Sequence, residues 1–336
     1  MLICAALLGL ANSSAFAQTA SPTLDGVKAR GFVRCGVTAG VPGFYAVGAD
    51  GTPAGLEVDY CRSLAAAIFA DPAAVRYTAL PVPELFTALA ARDIDVLAAA
   101  TTWTASHDMQ PDTIFVGTMF YDAQGFMVRR SAGFTSAIQL SGEPVCVQSG
   151  TTAVENAIDY FAANSISFEP REFLTQDEMA KAYQDGLCTV YSAGTMVLAA
   201  MRSTFAVPED HVILPEIASK EPLGAAVRVG DPVWFKIARW THFAMLEAEE
   251  LGVTQINVDE MLGSDNTAIK RLLGVEGAYG EAMGLTEDWA YRIVRYVGNF
   301  SESYERNFGA ASSIGLPRGL NALWRDGGIQ HSPPAR

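Results

Sequence analysis

VRCGVT at 33–38, DYCRSLAAAIF at 59–69, VRYTAL at 75–80, PELFTALAA at 83–91 and VLAA at 96–99 follow one another in this order. The first, third and fifth are short apolar runs bounded by turn-forming residues, which reads as strands; the second and fourth space their apolar residues as helices do. Strand, helix, strand, helix, strand is a βαβαβ unit. Connections of this length join parallel neighbours, so the fold class is α/β. Gly48, Asp50 and Gly51, between Tyr45 and Leu56, mark a loop or small hairpin at the edge of the unit.

Working outward, the same rhythm restarts at Val145: a strand and turn in CVQSG, a helix over 152–164, a strand over 167–173, a helix over 176–184 and a strand over 188–192. After a strand-like run at 222–229 the chain turns helical, with amphipathic patterns at 232–251, 257–262, 267–272 and 289–308. Trp234, Trp240 and Trp289 fall in these helices and are expected in a core. Strand-like crossovers near 120–128 and 213–226 would join the two units and leave a cleft between them. Ligands of open α/β sheets bind beyond the carboxyl ends of strands, so the turns after Thr38, Ala99 and Val147 are expected to face that cleft.

The chain has 336 residues, half of them hydrophobic, enough for two domains with a core each. An apolar run from Met1 to Leu10, followed by Ala15-Phe16-Ala17, reads as an export signal cleaved after Ala17, here without the positive region that ordinarily precedes it. No later run is long and apolar enough to span a bilayer. The net charge of −14 carries no basic blocks, which argues against nucleic acid and anionic membranes as partners. Beyond Cys4, in the leader, Cys35, Cys61, Cys146 and Cys188 remain. An even count after export points to disulfides, and of the three possible pairings the local one, Cys35 with Cys61 and Cys146 with Cys188, is expected.

Several long phrases carry a family resemblance: LDGVKARGFVRCGVTAGVPGF, GLEVDYCRSLAAAIF, FTALAARDIDVLAAATTWT, FYDAQGFMVR, VCVQSGTT, HVILPEIASKEPLGAAVRVGDPVWFKIARWT and EELGVTQINVDEM. Together they resemble the general L-amino-acid-binding proteins of polar amino acid ABC importers, in extracellular solute-binding protein family 3. The resemblance implies a periplasmic, two-lobed Venus flytrap fold with two crossover strands, a monomer that captures a small polar solute and delivers it to a permease in the inner membrane. It also implies a division into leader (1–17), first lobe (24–122 and 219–336) and second lobe (123–218). The four cysteines fall where that subgroup has them.

Carried over position by position, the ligand-holding arginine of the family falls on His107, and the acid that holds the α-ammonium falls on Gly194. Ala99 and Ala100 stand where polar residues are usual. Both charged anchors are therefore expected to be missing and the specificity altered. A neutral frame remains. Gly150, Thr151 and Thr152 sit at a helix N-terminus suited to a carboxylate; Thr101, Thr102 and Thr104 offer hydroxyl and backbone groups on the other lobe; Phe44 matches an aromatic that packs on the ligand. Thr151 and Thr152 read equally as a helix cap, Phe44 as core packing, and His107 as a surface residue beside Asp108. As a ligand contact, His107 offers one hydrogen bond, stronger when protonated, and not the two-pronged guanidinium contact.

An enzyme is not expected. Ser149 in VQSGT lacks the nucleophile-elbow pattern, and nucleotide-binding glycine motifs are absent. His107, His211, His242 and His331 are scattered, so neither metal nor cofactor is expected, and His242 reads as packing. The enzymatic alternative is a cyclohexadienyl-dehydratase-like member of the same fold, for which Glu57 is the first-lobe acid to consider; in the family that acid structures the turn into the helix. A sensor that docks on a receptor instead of a permease is the other alternative.

Overall fold

In a computed structural model describing residues 20–38 and 40–336, the chain opens with α1 (Pro22–Arg30) and β1 (Val33–Thr38). A small hairpin of β2 (Ala46–Val47) and β3 (Pro53–Ala54) leads to α2 (Leu56–Phe69), β4 (Val75–Leu80), α3 (Leu85–Ala90), β5 (Val96–Thr102) and the single turn α4 (Ala105–Asp108). The long β6 (Thr113–Arg129) carries the chain into a second half: β7 (Pro144–Gln148), α5 (Thr152–Ala163), β8 (Glu169–Phe173), α6 (Gln176–Gln184), β9 (Val190–Gly194), α7 (Thr195–Thr204) and β10 (His211–Ile213). Then β11 (Ser219–Arg228) returns to the first half, where α8 (Pro232–Glu250), α9 (Val258–Met261), α10 (Thr267–Leu272), α11 (Tyr279–Ala282), α12 (Trp289–Tyr296) and α13 (Phe300–Asn307) follow. The expected leader and its cleavage site lie outside the described residues.

Nine of the described strands form one sheet in the order β4-β1-β5-β11-β6-β9-β7-β8, with β10 on β6; β2 and β3 pair separately. Within each half the neighbours run parallel, β1 between β4 and β5, β7 between β8 and β9. Between the halves β11 and β6 pair antiparallel along ten residues. This is the two-lobed α/β architecture expected, with two crossover strands. The first crossover is longer than the 120–128 run, because Thr113–Phe120 extends it inside the first half; the return is divided into β10 and β11.

Gly55 fixes the start of α2 at φ +139°, where an added β-carbon would overlap the Phe44 carbonyl. The apolar face of α2 packs with α8 and α12 on the first half of the sheet, around Leu64, Trp234, Ile293 and Phe300. Trp234 and Trp289 are buried and Trp240 is half-buried against the same core. The amphipathic run at 289–308 is two helices and not one: Gly298 adopts φ +100°, and Asn299 caps α13 by accepting from Glu302 N–H while the Glu302 side chain accepts from Asn299 N–H. The capping box outweighs the continuous apolar stripe. Among the described residues no helix is long and apolar enough to cross a membrane.

After α13 the chain returns to the crossover. The Asn321 amide accepts from Tyr121 N–H at 2.8 Å and donates to Tyr121 C=O at 2.9 Å, and Gln330 donates to Met119 C=O at 3.0 Å. Tyr121 turns these groups away from β11, where its register partner is Pro222, a residue with no N–H to offer.

Cys35 of β1 is bonded to Cys61 of α2 and Cys146 of β7 to Cys188, with Cα separations of 6.3 and 5.7 Å, which is the local pairing. For loops of 26 and 42 residues, closure entropy gives about 3.5 and about 4 kcal/mol. Replacing Cys35 and Cys61 by alanine, or Cys146 and Cys188, is expected to lower the urea midpoint by a corresponding amount; non-reducing peptide mapping of the parent checks the pairing, and an unmoved midpoint in both double variants would contradict it.

Candidate functional site

Along the seam between the halves lies a cleft of about 300 Å3, at the lower end of the size range of small-molecule sites. Its floor is set by the carboxyl ends of the strands. Glu57, in the first turn of α2, accepts from Thr38 N–H at 2.8 Å and from Ala100 N–H at 2.7 Å, tying the ends of β1 and β5 together. Burial pushes its pKa up to about 8 against the pull of these donors. Glu57 lies beneath the cleft and not in its lining, and both its oxygens are committed to backbone.

Two further carboxylates do line the cleft. Asp122 of β6 and Glu221 of β11 are register partners, so the antiparallel ladder places both side chains on the same face. Glu221 is buried and receives four neutral donors: Thr102 and Thr152 (3.0 Å) on Oε2, Asn156 (2.7 Å) and Ser219 (2.5 Å) on Oε1. Thr102 belongs to the first half and Thr152 to the second, and their hydroxyls stand 3.4 Å apart. Asp122 collects its donors on one oxygen: Oδ1 accepts from Thr195 Oγ1 (2.6 Å), Ala123 N–H (2.8 Å) and Met196 N–H (3.3 Å). Its Oδ2 lies beside Gly194, close enough that a β-carbon there would overlap it. Burial, aided by the neighbouring Glu221 charge, outweighs the hydrogen bonds that pull the Asp122 pKa down and raises it to about 6.

Of the residues singled out from the sequence, Phe44, Thr101, Thr102, His107, Gly150, Thr151, Thr152 and Gly194 line the cleft, as do Thr38 and Ala100. Thr104 is not brought in; its hydroxyl caps α4 by accepting from His107 N–H at 3.1 Å. Phe44 is 2% exposed and packs edge-on against Phe120 and Phe308, so most of its ring belongs to the core. The Thr151 hydroxyl serves as a cap, accepting from Ala153 N–H (3.2 Å) and donating to Gln148 C=O (2.7 Å), which leaves the backbone N–H groups of the first turn of α5 as what Thr151 and Thr152 present to an anion. Thr101 is 7% exposed, and its Oγ1 has no partner among the described residues.

His107 packs its ring 4.9 Å from Phe86, and its Nδ1 lies 2.8 Å from Thr102 C=O. A carbonyl only accepts, so Nδ1 carries the proton and Nε2 of the neutral ring is an acceptor. Among the described lining residues none is Lys or Arg, and no three His, Cys, Asp or Glu side chains gather closely enough to hold a metal ion.

The sequence reading missed Asp122, Glu221 and the buried Gln124, which donates to Ala153 C=O and Ser192 Oγ at 2.9 Å each. Charged and amide residues inside the otherwise apolar crossover runs FYDAQGF and SKEPLG were the available signal. An acid is thus present next to Gly194, supplied by a neighbouring strand.

Two α/β halves joined by an antiparallel strand pair, with a polar cleft at the carboxyl ends of their strands, define a two-lobed binding protein. The chain belongs to the bacterial extracellular solute-binding proteins, family 3, whose pattern matches residues 33–251. The general L-amino acid-binding periplasmic protein AapJ of Rhizobium johnstonii is 48% identical over 334 residues, covering 99% of this chain and 97% of that protein. The glutamate/glutamine/aspartate/asparagine-binding protein BztA of Rhodobacter capsulatus is 44% identical over 330 residues, covering 98% and 97%. Among solved structures, a periplasmic binding protein of an ABC transporter from Brucella ovis with glutathione bound is 48% identical and superimposes with a TM-score of 0.92, covering 94% of this chain and 99% of that one.

Gly150 adopts φ +75°, and a β-carbon there would stand 3.2 Å from Pro83 of the other half, whereas Gly142 (φ +81°) has open space around it. Gly150→Ala and Gly142→Ala are each expected to lose about 1 kcal/mol to left-handed strain. Only Gly150→Ala should lose more than this, because its β-carbon must also displace Pro83 by a few tenths of an ångström; equal urea midpoints for the two variants would argue against contact at this point.

Proposed function

We propose that the protein is the periplasmic solute-binding component of an ABC importer and that it holds a zwitterionic, amino-acid-type solute, with the ammonium on Asp122 Oδ2 under the field of Glu221 and the carboxylate on the N-terminal turn of α5. The observation that carries this reading is the pair of register-matched carboxylates in a cleft lined, among the described residues, by no Lys or Arg. Like charges opposite each other in a ladder repel, and a cation between the cleft and these two groups relieves that repulsion. Gly194 then makes room for the Asp122 oxygen instead of supplying an acid of its own. The lobes are taken as 24–122 with 219–336 and 123–218, so the cleft opens and closes where β6 and β11 cross between them.

Closure follows from contacts made by both lobes: a ligand shifts the open and closed populations only by what it gains in the closed form. Thr102 and Thr152 converge on Glu221 from opposite lobes, so the closed arrangement is already favoured at one point. The names of the relatives support the amino-acid class and the periplasm, and the apolar run with Ala15-Phe16-Ala17 is taken as an export leader. The protein acts as a monomer delivering its solute to the permease. Glu57, the acid considered for the dehydratase-like alternative, is committed to two strand ends and lies outside the cleft lining.

Asp122→Asn is expected to weaken binding of the ammonium-bearing solute at least tenfold, as loss of a charge-assisted contact does. The raised carboxyl pKa gives the sign of the pH dependence. With its pKa near 6, Asp122 is ionised and binding is strong above about pH 7; below 6 a proton competes with the cation, and affinity falls toward tenfold per pH unit. Calorimetry between pH 5 and 8 checks this, with Asp122→Asn flattening the profile; affinity that rises on acidification would overturn the assignment.

A further inference from the structure

We infer that the cleft contains a distal subsite for a carbonyl-type acceptor, built from the side-chain amides of Gln148 and Gln176, so that the solute is an amino acid whose side chain ends in a carboxamide or a carboxylate. The inference rests on the ammonium reading above and adds what lies at the other end of the solute. Gln148 closes β7, Gln176 opens α6, and both line the cleft on the second half. One backbone carbonyl fixes how both amides are turned. The Gln148 amide meets Leu174 C=O at 3.0 Å, and a carbonyl only accepts, so Nε2 is the atom that faces it. Gln148 Oε1 then faces Gln176, which must offer its Nε2 at 2.6 Å. Gln176 Oε1 in turn faces the Tyr191 hydroxyl at 2.5 Å, which must donate. Burial pushes the Tyr191 pKa up, so the phenol keeps that proton.

This chain of bonds has a polarity. Each amide oxygen has received a donor, while each amide nitrogen keeps a second N–H with no acceptor among the described residues. Gln176 is only 9% exposed, so water cannot freely take the acceptor's place there. An N–H held away from water without a partner costs free energy; a carbonyl oxygen of the solute removes that cost, and an alkyl chain of the same length leaves it in place. Because the oxygens of both amides are engaged and Tyr191 holds the pair from behind, the amides cannot invert to present acceptors without breaking the chain. Gln110, on the first half, lines the same cleft, and its amide offers an N–H to a carboxylate or, rotated, its C=O to the N–H of a carboxamide. Both kinds of side-chain terminus are therefore met by neutral groups.

The probes are L-glutamine and L-glutamate against L-norleucine, which matches their reach and ends in a methyl group. Calorimetry on the ligand-stripped protein at neutral pH is expected to give glutamine and glutamate each at least tenfold tighter binding than norleucine. Gln148→Leu should weaken glutamine at least tenfold without weakening norleucine, a split that a merely structural loss would not produce. Tyr191→Phe, which keeps both amides and removes the donor that orients them, should cost glutamine several-fold and leave norleucine unmoved. Norleucine within threefold of glutamine in the parent, or equal losses for the two solutes in both variants, overturns the subsite while leaving the ammonium site standing. N-acetylglutamine binding as tightly as glutamine, or binding by none of the three amino acids, overturns the ammonium reading itself and the subsite with it.

Discussion

The carboxylate of Glu221 sets the terms for the rest of the site. A buried anion is tolerated only when its lone pairs are filled, and here four neutral donors fill them, drawn from β5, β11 and α5. Because these donors come from both halves, the requirement to satisfy one side chain also fixes how the halves meet. The ladder that carries Glu221 puts Asp122 directly across from it, so satisfying the first carboxylate leaves the second as the group with an oxygen to spare.

The sheet delivers everything else to that point. Each half places its central strand, β1 or β7, between two parallel neighbours, and the carboxyl ends of the strands converge on the seam. Glu57 ties two of those ends through their N–H groups, and α5 begins immediately after the third. The two disulfides lie one in each half, so covalent stiffening is confined to the bodies on either side of the crossover strands.

Much of this was legible in the sequence where structure is local. β1, β4, α6 and α10 occupy the runs that their apolar spacing and bounding turn residues mark out. Threonines and glycines at the end of β5 and after β7 were found because strand ends in α/β units face ligands. What escaped was set at a distance: the pairing of Asp122 with Glu221 joins residues in separate crossovers, and no spacing along the chain announces a register across 98 intervening positions. Gly194 read as the loss of an acid because the acid that lies beside it belongs to another strand. Thr104, one position from Trp103, read as a cleft residue until its hydroxyl was seen to be spent on a cap. The division of 289–308 at Gly298 was hidden by an apolar stripe that continues across the break.

The side-chain amide of Asn321 has a consequence for assembly. At Tyr121 the crossover strand passes beyond the start of its pairing with β9, so its outer N–H and C=O would form a short open edge, the kind of surface on which another polypeptide can add as a strand. One amide occupies both groups without a strand of its own. The crossover strand thereby presents no unpaired N–H or C=O at Tyr121 for the strand of another molecule, and it is a loop segment after α13, not a strand, that closes this edge.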